Sequence, residues 1–273
     1  MRAPLMPPAV SIICTFLDAE DTLEATLSSL ARQTTREARF ILIDDGSQDS
    51  SPAIAERFAA SDARFSFYRN PKPGRGRALN LGVTKANSEF VAILDADDLA
   101  HPRWVEDGIA SVRRSPEFAV VGFERLYIRD RDGAEWAAGE ERTLPEVKDV
   151  TRGLARANVI AHSGVIMRKA PLVEVGGYDA DRQSLFDYDL WIRFAEAGRR
   201  LGLSPLVSIA KRYHEGQKFA RMKGYSLAAW RDQLRAIMAI DRSYRNFLWL
   251  GLRVAGDITR RPRRAIASGI GRR

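Results

Sequence analysis

Phe90-Val91-Ala92-Ile93-Leu94-Asp95-Ala96-Asp97-Asp98 is an apolar run that ends abruptly in three carboxylates. Five consecutive apolar residues of this kind read as a strand buried on both faces, as strands of parallel sheets are. Ile41-Leu42-Ile43-Asp44-Asp45-Gly46-Ser47 repeats the pattern earlier in the chain. Open α/β sheets take their ligands outside the C-terminal ends of such strands. Acids gathered there suit a hard divalent cation and, through it, a diphosphate.

Working outward, Val10-Ser11-Ile12-Ile13-Cys14-Thr15-Phe16 reads as a buried first strand. Asp21-Thr22-Leu23-Glu24 has the form of a capping box with Asp in place of Ser or Thr, and Leu23, Leu27 and Leu30 recur at helical spacing. Strands are expected over residues 40–44, 65–68 and 90–94, with helices over 52–60 and 77–86 and one opened by Pro102 at its first turn. Alternating strands and helices imply right-handed βαβ units and a mostly parallel, Rossmann-like α/β sheet. Beyond Phe123 the spacing predicts a hairpin over 127–136 turning at Asp132-Gly133. A charged loop over 140–148, a strand over 162–168, a helix over 185–197 and a late strand over 206–209 follow. After Glu215 the pattern is mostly helical.

Asp95 and Asp97 sit at alternate positions of a strand-to-loop transition, so both side chains can point into one site. With Asp98 beside them they are the candidate ligands for Mn2+ or Mg2+; the competing reading makes them turn and cap acids ahead of Pro102. Asp44 and Asp45 can accept a base N–H where Gly46 lets the backbone turn, or can serve only as turn caps. Gly74-Arg75-Gly76-Arg77-Ala78-Leu79-Asn80 lacks the third glycine of a dinucleotide fingerprint and does not follow the first strand. As a loop entering a helix it could offer Arg75 or Arg77 to a phosphate, or be a solvated basic loop.

The order of these stretches, followed by Gly176-Gly177-Tyr178-Asp179 and Phe186-Asp187-Tyr188-Asp189-Leu190-Trp191, resembles the family-two inverting glycosyltransferases of the GT-A fold from about Val10 to His214. The resemblance implies a nucleotide-sugar donor, with UDP the commonest base, and a glycan or lipid-linked acceptor. It puts Thr15, Phe16, Leu17, Asp44, Asp45, Arg75, Asn80, Asp95 and Ala96 around the donor, and Asp97, Asp95, Asp98 and His214 at the metal. Asp187 aligns with the family's general base, which takes the acceptor proton in one inverting displacement. Where the family usually has Glu this chain has Phe186, which bears on acceptor recognition. The processive members' Gln-x-x-Arg-Trp motif is absent, so one sugar is transferred at a time. The rival reading is a catalytically silent nucleotide- or glycan-binding protein of the same fold. A residue like His162, alone before a strand, is expected to be structural.

Composition limits the rest. A chain of 273 residues with 45% hydrophobic and 29% charged content suits a soluble protein with a sizeable core. One cysteine, Cys14, excludes an internal disulfide and reads as a small buried hydrophobe. Residues 242–273 hold nine Arg against Asp257 alone, a surplus equal to the whole formal net charge of +8. Tyr244, Phe247, Leu248 and Trp249 interleave with those Arg, which suggests a basic interfacial helix on an anionic membrane, with no specific nucleic-acid partner, rather than a disordered basic end that has no partner or touches nucleic acid non-specifically. The expected organisation is a GT-A domain over 8–214, with a nucleotide half near 8–100 and an acceptor half near 101–214, and a helical Arg-rich extension over 215–273. A cytoplasmic home is expected, peripheral on the inner face of the membrane.

Overall fold

The computed structural model describes residues 8–129, 136, 142–182, 184–213 and 227–254. The strands are β1 Val10–Phe16, β2 Ala38–Asp44, β3 Phe65–Arg69, β4 Phe90–Ile93, β5 Leu99–Ala100, β6 Phe118–Arg129, β7 Lys148–Asp149, β8 Ile166–Arg168 and β9 Arg200–Tyr213. The helices are α1 Leu23–Ala31, α2 Ser51–Ser61, α3 Arg75–Lys85, α4 Trp104–Arg114, α5 Lys169–Glu174, α6 Phe186–Glu196 and α7 Leu227–Ile240, with a 3-10 turn over Thr151–Ala155. Residues 244–254 form a further helix.

Among the described residues the strands join one sheet in the order β3-β2-β1-β4-β8-β6-β9-β5, with β7 on β9. The β3-β2-β1-β4 half is parallel, β8 runs antiparallel between β4 and β6, and β6 and β9 are parallel. Alternation along β1 explains why both faces are buried. Ile12, Cys14 and Phe16 face a core shared with Leu23, Leu27 and Leu30 of α1 and Trp104 of α4. Ile13 faces the other core, with Ala78 and Leu79 of α3 and Leu190 and Trp191 of α6. Cys14 is fully buried, and burial, reinforced by Asp95 and Asp97, pushes its thiol far up.

Several local expectations are corrected. The capping box does not form: α1 starts after Thr22, no side chain caps it, and the Thr22 hydroxyl reaches a distant loop instead. The helix after Pro102 starts at Trp104. The strand expected over 162–168 is confined to Ile166–Arg168, because Gly164 takes φ +89° and turns the chain. The late strand extends over fourteen residues, since pairing with β6 carries Arg200, Ser204 and Lys211 that its apolar stretch alone does not reveal. The turn at Asp132-Gly133 lies outside the described residues.

Candidate active site

The loop after β4 is held from several sides. The Thr22 and Thr26 hydroxyls both donate to the Ala96 carbonyl at 2.9 Å, so α1 fixes the middle of the Asp-Ala-Asp turn. The Asp95 N–H donates to Ser163 Oγ at 3.1 Å, and Arg212 Nε donates to the Asp97 carbonyl at 3.1 Å. This scaffold brings side-chain oxygens of Asp95, Asp97 and Asp98 within 4.8 Å of one another. Asp98 is fully buried. Its Oδ1 accepts the Arg212 N–H at 3.1 Å, whereas Oδ2 has no hydrogen-bond partner among the described residues and lies 3.9 Å from Lys211 Nζ. Burial raises its carboxyl from 3.8 to about 7, with Lys211 opposing and Asp95 and Asp97 adding to the rise. A buried, orphaned carboxylate oxygen beside two more carboxylates is a donor set that fits a hard cation such as Mn2+ or Mg2+.

Asp95 also anchors a ring of side chains. Arg75, the first residue of α3, donates Nη2 to Asp95 Oδ1 at 2.5 Å. His162 Nδ1 lies 3.8 Å from the same oxygen, and its Nε2 meets the Tyr178 hydroxyl at 2.9 Å. The His162 ring packs edge-on against Phe186 at 5.1 Å, and the Arg75 guanidinium sits 4.8 Å over that Phe186 ring. Burial would raise the Asp95 carboxyl, but Arg75 together with His162 outweighs it and holds the group far below the usual carboxylate range. The structure places His162, expected to be structural, buried beside Asp95 at the edge of the site. No spacing rule links positions 95 and 162, and the small polar run His162-Ser163-Gly164 is the sole trace in the sequence of a turn toward the sheet edge.

Asp187 lies in the first turn of α6, whose N-cap Leu185 takes a left-handed φ of +54°. Asp187 Oδ2 accepts from Asn158 Nδ2 at 2.7 Å and Oδ1 from the Tyr188 N–H at 2.8 Å. Burial lowers the Arg75 guanidinium, but the charges of Asp95, Asp97 and Asp187 outweigh it and raise the group. Asn158 was not legible as a site residue, since exposed Asn in a loop carries no pattern. Phe186, where the family motif has Glu, stands beside Asp187 as the wall shared by Arg75 and His162.

The other donor-side residues differ in what they hold. Leu17 is exposed at the end of β1, while Phe16 is buried against Phe67 and its carbonyl accepts the Asp45 N–H at 2.9 Å. Thr15 is half-buried opposite Ile43. Asp44 Oδ1 accepts the Ser47 N–H at 2.9 Å and so caps the turn after β2. Asp45 Oδ1 accepts from Asn70 Nδ2 at 2.7 Å and from the Gly74 N–H at 2.8 Å, fixing the loop that launches Arg75. Asn80 braces α3 against the 178 segment, because its amide donates to the Tyr178 carbonyl at 2.7 Å and accepts the Tyr178 N–H at 2.8 Å. His214 lies outside the described residues.

Residues 11–175, more than half of the chain, match the family model described as Glycosyl transferase family 2. The chain belongs to that family. It is similar to the putative glycosyltransferase EpsE of Bacillus subtilis, 32% identical over 198 residues that cover 71% of this chain and 69% of EpsE. It is also similar to the amylovoran biosynthesis glycosyltransferase AmsE of Erwinia amylovora, 29% identical over 189 residues, 68% of this chain and 69% of AmsE. The crystal structure of S. aureus TarS 1–349 with UDP-GlcNAc superposes with a TM-score of 0.66 at 19% identity, covering 86% of this chain and 68% of that one. The fold is thus the GT-A arrangement, and the family assignment makes the chain a glycosyltransferase. Asp187 and α7 lie beyond the matched segment.

Proposed function

We propose that this chain is an inverting, metal-dependent transferase that moves one sugar from a UDP-sugar to a hydroxyl of a glycan or lipid-linked acceptor. The observation that carries the reading is the convergence of Asp95, Asp97 and the orphaned Asp98 oxygen at the strand ends, with Arg75 packed on Phe186, the residue before Asp187. Asp95, Asp97 and Asp98 would hold Mn2+ or Mg2+, which when bound neutralises diphosphate charge. Arg75 exchanges its Asp95 partner for a diphosphate oxygen, a charge-assisted contact. Asp187, oriented by Asn158, takes the proton of the acceptor hydroxyl as that oxygen attacks the anomeric carbon. Attack opposite the leaving diphosphate inverts the configuration in one displacement. Leu17, Asp44 and Asp45 frame the donor base, with Asn80 bracing the loop behind it.

In this reading residues 8–214 form the transferase domain, with halves near 8–100 and 101–214, and 215–273 an extension. No helix among the described residues is long and apolar enough to cross a membrane. The helix over 244–254 nevertheless exposes Tyr244, Leu248 and Leu252 at i, i+4 and i+8, one stripe beside Arg245 and the Arg-rich residues that follow. Apolar residues flanked by a surplus of Arg fit an anionic lipid surface on the cytoplasmic side. The test of the reaction is a panel of UDP-, GDP- and dTDP-sugars incubated with Mn2+, Mg2+ or chelator and read by mass. Metal-stimulated release of UDP supports the reading. Binding of UDP-sugars with neither hydrolysis nor transfer to an acceptor extract would leave the silent binding protein in its place.

A further inference from the structure

Asp189, two residues after the proposed base and buried, is the centre of an ion-pair network that leaves the transferase domain. Its Oδ2 accepts from Arg193 Nε at 2.9 Å, and its Oδ1 receives Arg235 Nη1 at 2.8 Å and Arg182 Nη1 at 3.3 Å. Arg235 belongs to α7 and also binds Glu196 at the far end of α6. Arg182 lies in the loop before α6 and is shared three ways. Its Nε donates to the Ser184 carbonyl at 2.9 Å, its Nη1 faces Asp189, and its Nη2 pairs with Asp232 of α7. Side chains of Arg182 and Asp232 are 10% and 2% exposed, so this pair is shielded from water and salt. Gln233, the next residue of α7, donates to the Ala155 carbonyl at 2.7 Å and seats the helix against the 3-10 turn.

The loop so gripped ends in Leu185 at φ +54°, a left-handed conformation for a residue that carries a Cβ. Such a residue persists where its surroundings over-determine it. The φ of Leu185 sets the direction in which α6 starts, and Asp187 is the second residue of that helix. We propose that α7 is a positioning element of the active site: Asp232, acting through Arg182, holds the left-handed turn at Leu185 and thereby aims Asp187. The proposal rests on Asp187 being the general base. It assigns part of the catalytic geometry to residues outside the segment that matches the family.

The experiment compares full-length Asp232→Ala, Arg182→Gln and the shape-preserving Asp232→Asn with wild type. Hydrogen exchange over residues 184–190 comes first because it needs no substrate. Asp232→Ala and Arg182→Gln should speed exchange there while leaving residues 90–98 unchanged. Hydrolysis is then measured with whichever of UDP-glucose, UDP-galactose or UDP-GlcNAc wild type turns over fastest, and binding of UDP with Mn2+ by calorimetry. A small misplacement of a reacting group costs up to about a hundredfold, so kcat should fall about tenfold to a hundredfold with UDP affinity unchanged. Asp232→Asn, which can still accept from Arg182, should recover most of the rate. Unchanged exchange at 184–190, unchanged kcat in the folded variants, or a parallel loss of UDP affinity would each overturn the proposal. Should one of these variants not fold, the other removes the same contact. If Asp187→Asn keeps full turnover, it is the base assignment that falls, and the exchange data still decide whether α7 holds the turn.

Discussion

Asp98 has a carboxyl raised to about 7, chiefly by its burial. A carboxyl raised in this way keeps its proton in the folded state. Its contribution to stability is complete below the unfolded value of 3.8 and is lost as pH rises through about 7. A cation needs the carboxylate, so binding expels that proton. Mn2+ affinity, measured by calorimetry in buffers of different ionisation enthalpy, should tighten as pH rises through about 7 with uptake of protons by the buffer. Asp98→Asn should flatten that dependence. Asp97→Ala should weaken metal-dependent donor binding, whereas Asp187→Asn should spare donor affinity and lower transfer about 10²–10⁴-fold, as loss of a general base does. Calorimetric donor titration beside a rate assay separates the two. At this scale the strand-end acids were legible as a cluster because each set ends an apolar run, and the order of motifs is what singles out Asp187 as the proposed base. His162 and Asn158 were not, because their meaning comes from residues far away in sequence.

Elements were legible where period and burial agree. β1, β2 and β4 read correctly because both faces are apolar, and α2, α3 and α6 came within two residues of their expected ends. β9 was shortened because many of its residues are polar, and β5 was missed because it is two residues long and its partner strand is remote in sequence. The Asp21 capping box misled because the helix begins one residue later, with Thr22 at the N-cap and its hydroxyl turned to Ala96. Close approach of elements leaves a sequence trace only as glycine. At Gly76 of α3 an added Cβ would lie 2.3 Å from the Asp179 carbonyl oxygen, a backbone atom that cannot swing aside. Gly76→Ala should therefore lower stability by about 1–3 kcal/mol in denaturant titration, the usual range for overpacking. It should also weaken donor binding, since Arg75 is carried on the same turn of helix. A melting midpoint equal to wild type would show that α3 can back away from the 178–180 segment without cost.

At the scale of the molecule, the charge surplus and the exposed stripe of residues 244–254 belong to one end of the chain. Full-length protein should cosediment with vesicles containing anionic lipid and leave them as salt rises. Each Arg near such a surface is worth about 1 kcal/mol and screening acts over about 8 Å at physiological salt. Truncation after Asp241 removes the Asn246–Arg156 hydrogen bond of 2.8 Å but keeps α7 on α6. The truncated protein should lose vesicle binding and retain donor hydrolysis. Equal sedimentation of the two forms would refute the anchor. The surplus itself was legible by counting; the docking of α7 was not, because ion pairs between remote helices follow no period.

The grip of α7 also gives the enzyme a history. The strand-end acids and Arg212, which holds their loop, are complete once residue 212 is made, whereas Asp232 is synthesised twenty residues later. At about 5–20 residues per second that gap is roughly 1–4 s. A nascent chain, or one clipped ahead of α7, would carry a finished donor cradle and an unaimed base. It could occupy a nucleotide-sugar without spending it, so α7 would act as a proofreading mark that only a chain extended through it transfers sugar.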